Sequence, residues 1–217
     1  MSSGAKFMNV NASSKEGLKR AKEMGLGNSK MMEAIMSSYM YETADLFAAG
    51  QRTAKCITIL RHPIERAIAL FYRLQQAARE ENHPNSALKD MTIEEYANGP
   101  FCEDNWMTRV LTNELEKPLT FNHLELAKEI LGRKCLIGIY DHWFESMKRF
   151  KKYFGWDDDD TGCDKEPVSN HDPAGGHIWN LFAKKNGLDI ALYEYGINLF
   201  EKQKMYSVKK SPPQYLL

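Results

Sequence analysis

No apolar run in the 217-residue sequence approaches the roughly 20 residues that cross a bilayer, and the first 30 residues, with Lys6, Lys15, Lys19 and Arg20 among polar neighbours, lack a signal-peptide core. The chain therefore reads as soluble, without a membrane span. Net charge is missing too: 29 Lys and Arg balance 29 Asp and Glu, so no global field draws nucleic acid or an acidic membrane, and any anion site has to be local. Cysteine is scarce. Cys56, Cys102, Cys135 and Cys163 form no Cys-x-x-Cys pair, which leaves neither a zinc site nor a disulfide framework. Cys56 and Cys135 open apolar runs and are expected to be packed thiols; Cys102 and Cys163 lie in loop-like sequence and could pair in an oxidising compartment. No Walker-type Gly-Lys-Ser/Thr and no magnesium carboxylate motif appears, which argues against a P-loop kinase. There is no internal repeat, and this length predicts one core: a single domain over 1–207 with a tail, 208–217.

What is present reads as α/β with a parallel sheet, rich in helix. "KFMNVN" (6–11) predicts a short strand, and Ser13 with Glu16 a capping box that opens a helix ended by Gly25. A second helix is expected over about 29–48, its methionines filling core. "KCITIL" (55–60) is nearly continuous apolar and β-branched, the pattern of a central strand covered on both faces. Pro63 suits the first turn of the helix that follows, with Ile64, Ala67, Ile68, Phe71 and Leu74 on one face through to about Glu81. "ENHPNSALKD" reads as loop, and Thr92 with Glu95 as a cap.

Helices are expected at 104–113 and at 120–132, the latter stopped by Gly132. "KCLIGIY" (134–140) is the second strong strand, and "WFESMKRFKKYFG" an amphipathic helix with Phe144, Met147, Phe150 and Phe154 inward and its basic residues solvated. The stretch 156–177 is loop, its "DDDD" run a solvated acidic turn without the ligand spacing of a calcium site. One long helix is expected over about 177–205, with Leu181, Leu188, Leu192, Tyr195 and Leu199 on one side.

The chemistry concentrates at "TILRHPIERAIALFYRL" (58–74). A parallel strand that delivers an arginine at its carboxyl end, beside a helix start, places a rigid fork of donors and the helix's first amides in one space, which suits an anion. His62, at the N-cap position, could donate to the same anion. Alternatively Arg61 pairs with Glu65 and fixes the helix, and the residues alone leave both readings open.

The same stretch resembles the signature of sulfotransferases that use 3′-phosphoadenosine 5′-phosphosulfate (PAPS), in which a strand runs into Arg-Asp-Pro-x-x-Arg and the next helix carries a serine. "NWMTRVL" (105–111), "LIGIYDHWFESMKRFKKYFGW" (136–156) and "NGLDIALYEYGINLFEKQ" (186–203) are similar to later blocks of the Golgi-type carbohydrate sulfotransferases and their protist relatives. The resemblance implies a P-loop NTPase-like, three-layer α/β sulfotransferase fold. It implies transfer of a sulfuryl group from PAPS to a hydroxyl, on a carbohydrate in those relatives, with no metal, no nucleic acid and a Golgi setting. It also implies that Arg61 holds the 3′-phosphate, with His62 in place of the usual Asp. The family serine falls on Ala69, so one hydroxyl ligand is absent, a loss on the order of 1.5–3 kcal/mol for a hydrogen bond to a charged group.

The family's Gly/Ser/Thr-rich loop for the 5′-phosphosulfate has no match. "MGLGNSK" (24–30) is better read as a helix C-cap and linker, and "KFMNVN" aligns with the strand after that loop. The expectation is a chain lacking the first strand-loop-helix unit, and hence either an enzyme seen without its loop or an inactive remnant that binds nucleotide or glycan. In relatives the base is a Glu or His from the segment between the phosphate sites; here it offers Glu33, Glu42 and Asp45, with Glu42 the first choice and a surface carboxylate the alternative. Asn105 and Arg109, one turn apart, could line the acceptor or nucleotide cleft, or cap and tether their helix. Lys165, Asn170 and His171 resemble the segment that closes over the nucleotide.

Overall fold

The structure is a computed structural model and describes residues 10–29, 32, 34–48, 54–80, 86–156 and 176–204. Its helices are α1 (Lys15–Glu23), α2 (Met40–Ala48), α3 (Pro63–Ala77), α4 (Ile93–Asn98), α5 (Trp106–Thr112), α6 (Phe121–Lys134), α7 (Trp143–Phe154), α8 (Gly176–Lys185) and α9 (Gly187–Lys202). Two strands, β1 (Cys56–Leu60) and β2 (Cys135–Ile139), pair in parallel with Cys56 opposite Cys135 and Leu60 opposite Ile139. The class is therefore α/β and helix-rich, as the sequence implies.

Three apolar clusters hold the elements. One gathers Leu60, Ile137 and Ile139 from the sheet with Leu124 and Leu131 of α6 and Leu192 and Phe200 of α9. A second packs the predicted face of α3, Ile64, Ala67, Ile68 and Phe71, on Tyr96 of α4 and Phe182 of α8. A third joins Leu18 and Ala21 of α1 to Leu46 of α2.

β2 is buried along its whole length, and side chains close its outer edge: Gln203 accepts from Ile137 N–H (2.9 Å) and donates to Cys135 O (3.0 Å), while Ser146 accepts from Ile139 N–H (2.9 Å). Among the described residues β1 pairs with β2 alone rather than standing between two strands. Ile57 and Ile59 are 38% and 37% exposed, on a cavity that separates β1 from α2 and α5.

Cys56 and Cys135 are joined as a disulfide, not held as separate packed thiols. The strand register sets them opposite each other with Cα atoms 4.6 Å apart, within bridging range. Cys102 is a buried free thiol, and Cys163 lies outside the described residues.

Several boundaries move for identifiable reasons. Ser14 rather than Ser13 caps α1, accepting from Gly17 N–H at 3.1 Å, while Gly25, in the left-handed region at φ 69°, ends the helix as expected. The helix expected from 29 starts only at Met40. Ser37 Oγ donates to Ala12 O (2.8 Å) and accepts from Tyr39 N–H (3.1 Å), drawing the backbone away from helical pairing. α3 stops at Ala77 rather than near Glu81, and a short 3-10 turn, Ser86–Asp90, occupies part of the expected loop.

Gly132 does not end α6. A Cβ there would lie 2.7 Å from Tyr195 Oη, so the glycine admits α9 against α6. Phe144 is 55% exposed while Arg149 is buried, donating to Phe200 O at 2.6 Å with its guanidinium on the Phe200 ring and pairing with Glu145. The long carboxyl-terminal helix is two, broken at Asn186. Of the "KFMNVN" strand, residues 6–9 lie outside the described residues, and Val10 and Asn11 are irregular; the loop 157–175 also lies outside them.

Candidate functional site

β1 ends on Leu60, the next residue is Arg61, and Pro63 occupies the first position of α3, where its missing N–H removes no helical bond. No side chain caps that first turn. Arg61 is 18% exposed at its side chain, with Cζ 4.7 Å from the Tyr140 ring centroid and Nε 3.8 Å from Glu65 Oε2. That approach to Glu65 is too long for a hydrogen bond, and Nε has no hydrogen-bond partner among the described residues. The ion-pair reading thus accounts for position but leaves the donor unused.

One turn along α3, Arg66 repeats the pattern. Its Nη1 donates to Glu103 Oε2 at 2.8 Å, while Nε and Nη2 are buried with no partner among the described residues. Both arginines line a cavity of about 820 Å³ whose other walls are β1 and parts of α2 and α5. Neither Glu65 nor Glu103 is among the residues that line it. Buried guanidinium N–H groups are costly without acceptors, and two arginines that carry such groups lie side by side on this cavity.

His62 belongs to a different environment. Its ring stacks on Trp179 at 5.0 Å and meets the edge of Tyr193 at 5.3 Å, away from the cavity lining, and its side chain makes no cap bond. Burial lowers its pKa, against the pull of Glu65 and Asp141. Tyr193 O–H donates to Asp141 Oδ2 at 3.2 Å, and burial with that carboxylate raises the phenol's pKa far above the ordinary value. His62 Nδ1 is buried with no hydrogen-bond partner among the described residues, and the ring does not line the cavity that holds Arg61. Ala69, half-buried on α3 beyond Arg66, is not among the lining residues and brings no hydroxyl.

Asn105 and Arg109 do the capping and tethering work that the sequence left open. Asn105 Oδ1 accepts from the N–H groups of Leu188 (2.8 Å) and Asp189 (3.1 Å). Arg109 is bidentate to Asp104 (Nη2 to Oδ2 2.7 Å, Nε to Oδ1 3.1 Å) and donates through Nη1 to the carbonyls of Glu114 and Lys117. Neither residue lines the cavity that holds Arg61 and Arg66.

Glu42, on α2, pairs with Lys15 at 2.9 Å and lines a smaller pocket that shares Ser37, Ser38, Met40, Trp106 and Val110 with the main cavity. Lys165, Asn170 and His171 lie outside the described residues, as does Glu33. Arg66 is the functional candidate given no role from sequence, although it is the second arginine of the Arg-x-Pro-x-x-Arg pattern. Among the described residues no group of His, Cys, Asp or Glu is arranged to hold a metal, and no helix is long and apolar enough to cross a membrane. No protein-family model, curated protein or solved structure matches the chain.

Proposed function

We propose that the protein binds the 3′-phosphate of a PAPS-type nucleotide at the β1–α3 corner and transfers the sulfuryl group to a hydroxyl acceptor, in a P-loop-like sulfotransferase fold. The observation that carries this reading is that Arg61 and Arg66 both line one cavity at a strand's carboxyl end, each with guanidinium N–H groups that have no partner among the described residues. Geometry and charge fit a phosphate; Ala69 is a gap in that fit, since the family places a hydroxyl there. In the transfer, a bond forms between the acceptor oxygen and sulfur while the bond from sulfur to the 5′-phosphate oxygen breaks. The products are a sulfate ester and 3′-phosphoadenosine 5′-phosphate, and the acceptor's proton passes to a base. Glu42, on the pocket adjoining the cavity and paired with Lys15 at 2.9 Å, is the nearest fit to that role. Catalysis of this kind is mainly positioning and charge stabilisation.

A second reading is binding without transfer, which Ala69 favours. Incubating the protein with PAPS radiolabelled in its sulfuryl group, with and without alcohols and glycans, separates the two. Acceptor-dependent label transfer that falls at least about tenfold in Glu42→Gln supports the enzyme. Nucleotide binding with no transfer to any acceptor supports the binding module, and absence of nucleotide binding ends both.

A further inference from the structure

Cys56 and Cys135 both line the cavity that holds Arg61 and Arg66, so the bridge between them is part of its wall. Its two halves differ in access. Cys135 is 3% exposed, whereas Cys56, at the end of β1 away from Arg61, is partly exposed. A disulfide sealed in a core is out of reach of reagents, but one that meets a cavity of about 820 Å³ can be approached by a small thiol.

The charge beside the bridge suits that approach. The attacking and leaving species in thiol–disulfide exchange are thiolates, which a nearby cation favours. Lys55 precedes Cys56 and lines the same cavity, with Nζ 4.9 Å from the Tyr153 ring centroid and 5.8 Å from that of Phe154. No carboxylate is among the described residues lining the cavity.

Opening the bridge has a structural consequence. Among the described residues β1 pairs with β2 alone, and the disulfide is the covalent tie between the two strands at their amino ends. β1 is five residues long, about 16 Å, and Arg61 follows it directly. A looser amino end therefore loosens the segment that places Arg61 on the cavity.

We propose that the Cys56–Cys135 bridge is a redox-responsive site, opened from the cavity by a dithiol reductant, and that its closed form holds β1, and with it Arg61, in the anion-binding position. In the exchange, one thiolate of the reductant bonds to Cys56 Sγ as the Cys56–Cys135 bond breaks, and the electron pair passes to Cys135 Sγ, which takes a proton. The second thiolate then attacks the reductant sulfur bonded to Cys56, closing a cyclic disulfide and releasing Cys56, which takes a proton in turn. The bridge gains two electrons and two protons, and the dithiol loses the same. The effect on anion binding rests on the phosphate reading; the opening of the bridge rests on its place in the cavity wall.

The test treats the folded chain with dithiothreitol and follows alkylation of Cys56 by iodoacetamide, amide hydrogen exchange over 56–61, and calorimetry of 3′-phosphoadenosine 5′-phosphate. Cys56 is expected to be labelled only after the dithiol, exchange over 56–61 to rise while circular dichroism holds, and nucleotide affinity to fall about fivefold or more. Cys102→Ser is expected to respond as the parent does, and Cys56→Ser to show the weaker affinity with or without the dithiol. A bridge that stays unlabelled in the folded chain, global unfolding on reduction, or labelling with unchanged exchange overturns the inference. Unchanged affinity in a chain that binds the nucleotide and exchanges faster overturns the link to Arg61. A chain whose bridge opens with faster exchange, but which binds no nucleotide in either state, overturns the phosphate reading and upholds the redox site.

Discussion

Asn105 and Asp189 cap each other's helices. Asn105, just before α5, accepts from the first amides of α9, while Asp189, in the first turn of α9, accepts from Met107 N–H (2.8 Å), Thr108 N–H (2.8 Å) and Thr108 Oγ1–H (2.7 Å) in the first turn of α5. Asn186 joins the arrangement, accepting from Asn105 N–H at 3.1 Å and donating to Phe182 O at 2.9 Å. Two helix starts that would otherwise bury unpaired donors are thus satisfied together. Asp189→Ala is expected to destabilise the fold by about 2–4 kcal/mol, and Asn105→Ala by about 1–2 kcal/mol, in urea denaturation. A loss below about 0.5 kcal/mol in Asp189→Ala contradicts the reciprocal cap.

The Cys56–Cys135 bridge closes the amino ends of the two strands across a sequence separation of 79. Peptide mapping without reduction is expected to recover residues 56 and 135 in one linked species and Cys102 as a free thiol. Cys56→Ser is expected to cost on the order of 2–4 kcal/mol relative to the oxidised parent. A Cys102–Cys163 link in the map contradicts the assignment.

Gly132 is needed by its neighbour rather than by its own helix. Gly132→Ala is expected to destabilise by about 1–3 kcal/mol despite alanine's better helix propensity, because the new methyl meets the Tyr195 hydroxyl. Tyr195→Phe in the same chain is expected to recover part of that loss, measured as a double-mutant cycle. A neutral or stabilising Gly132→Ala contradicts the close approach.

Glu145 carries a pH signature. Its hydrogen bond from the buried Arg149 holds its pKa below the usual 4.5. A lowered folded pKa means stability that is fully present above the unfolded value and is lost as pH falls through the folded one. Acid titration of stability should therefore show a steeper decline below about pH 4.5 in the parent than in Glu145→Gln. Parallel curves contradict the pair.

The parts legible in the sequence were those with local causes. "CITIL" and "CLIGI" became strands, Thr92 with Glu95 became a capping box, and Ile64, Ala67, Ile68 and Phe71 became the buried face of α3. What escaped depends on partners distant in sequence. The break at Asn186 is bonded to Asn105, the disulfide follows from a strand register, and the need for glycine at 132 comes from Tyr195. The exposure of Ile57 and Ile59 is of the same kind, since an apolar strand pattern does not say how many neighbours will cover it. At the site, the place of Arg61 at the end of β1 was readable, whereas the packing of His62 could not be seen without knowing that Trp179 and Tyr193 lie against it.

Calorimetric titration of 3′-phosphoadenosine 5′-phosphate into the parent, Arg61→Ala and Arg66→Ala tests the phosphate site most directly. The account predicts saturable binding by the parent and a loss of about tenfold or more in each variant, with unchanged melting temperature. No binding by the parent, or equal binding by Arg61→Ala, would contradict it.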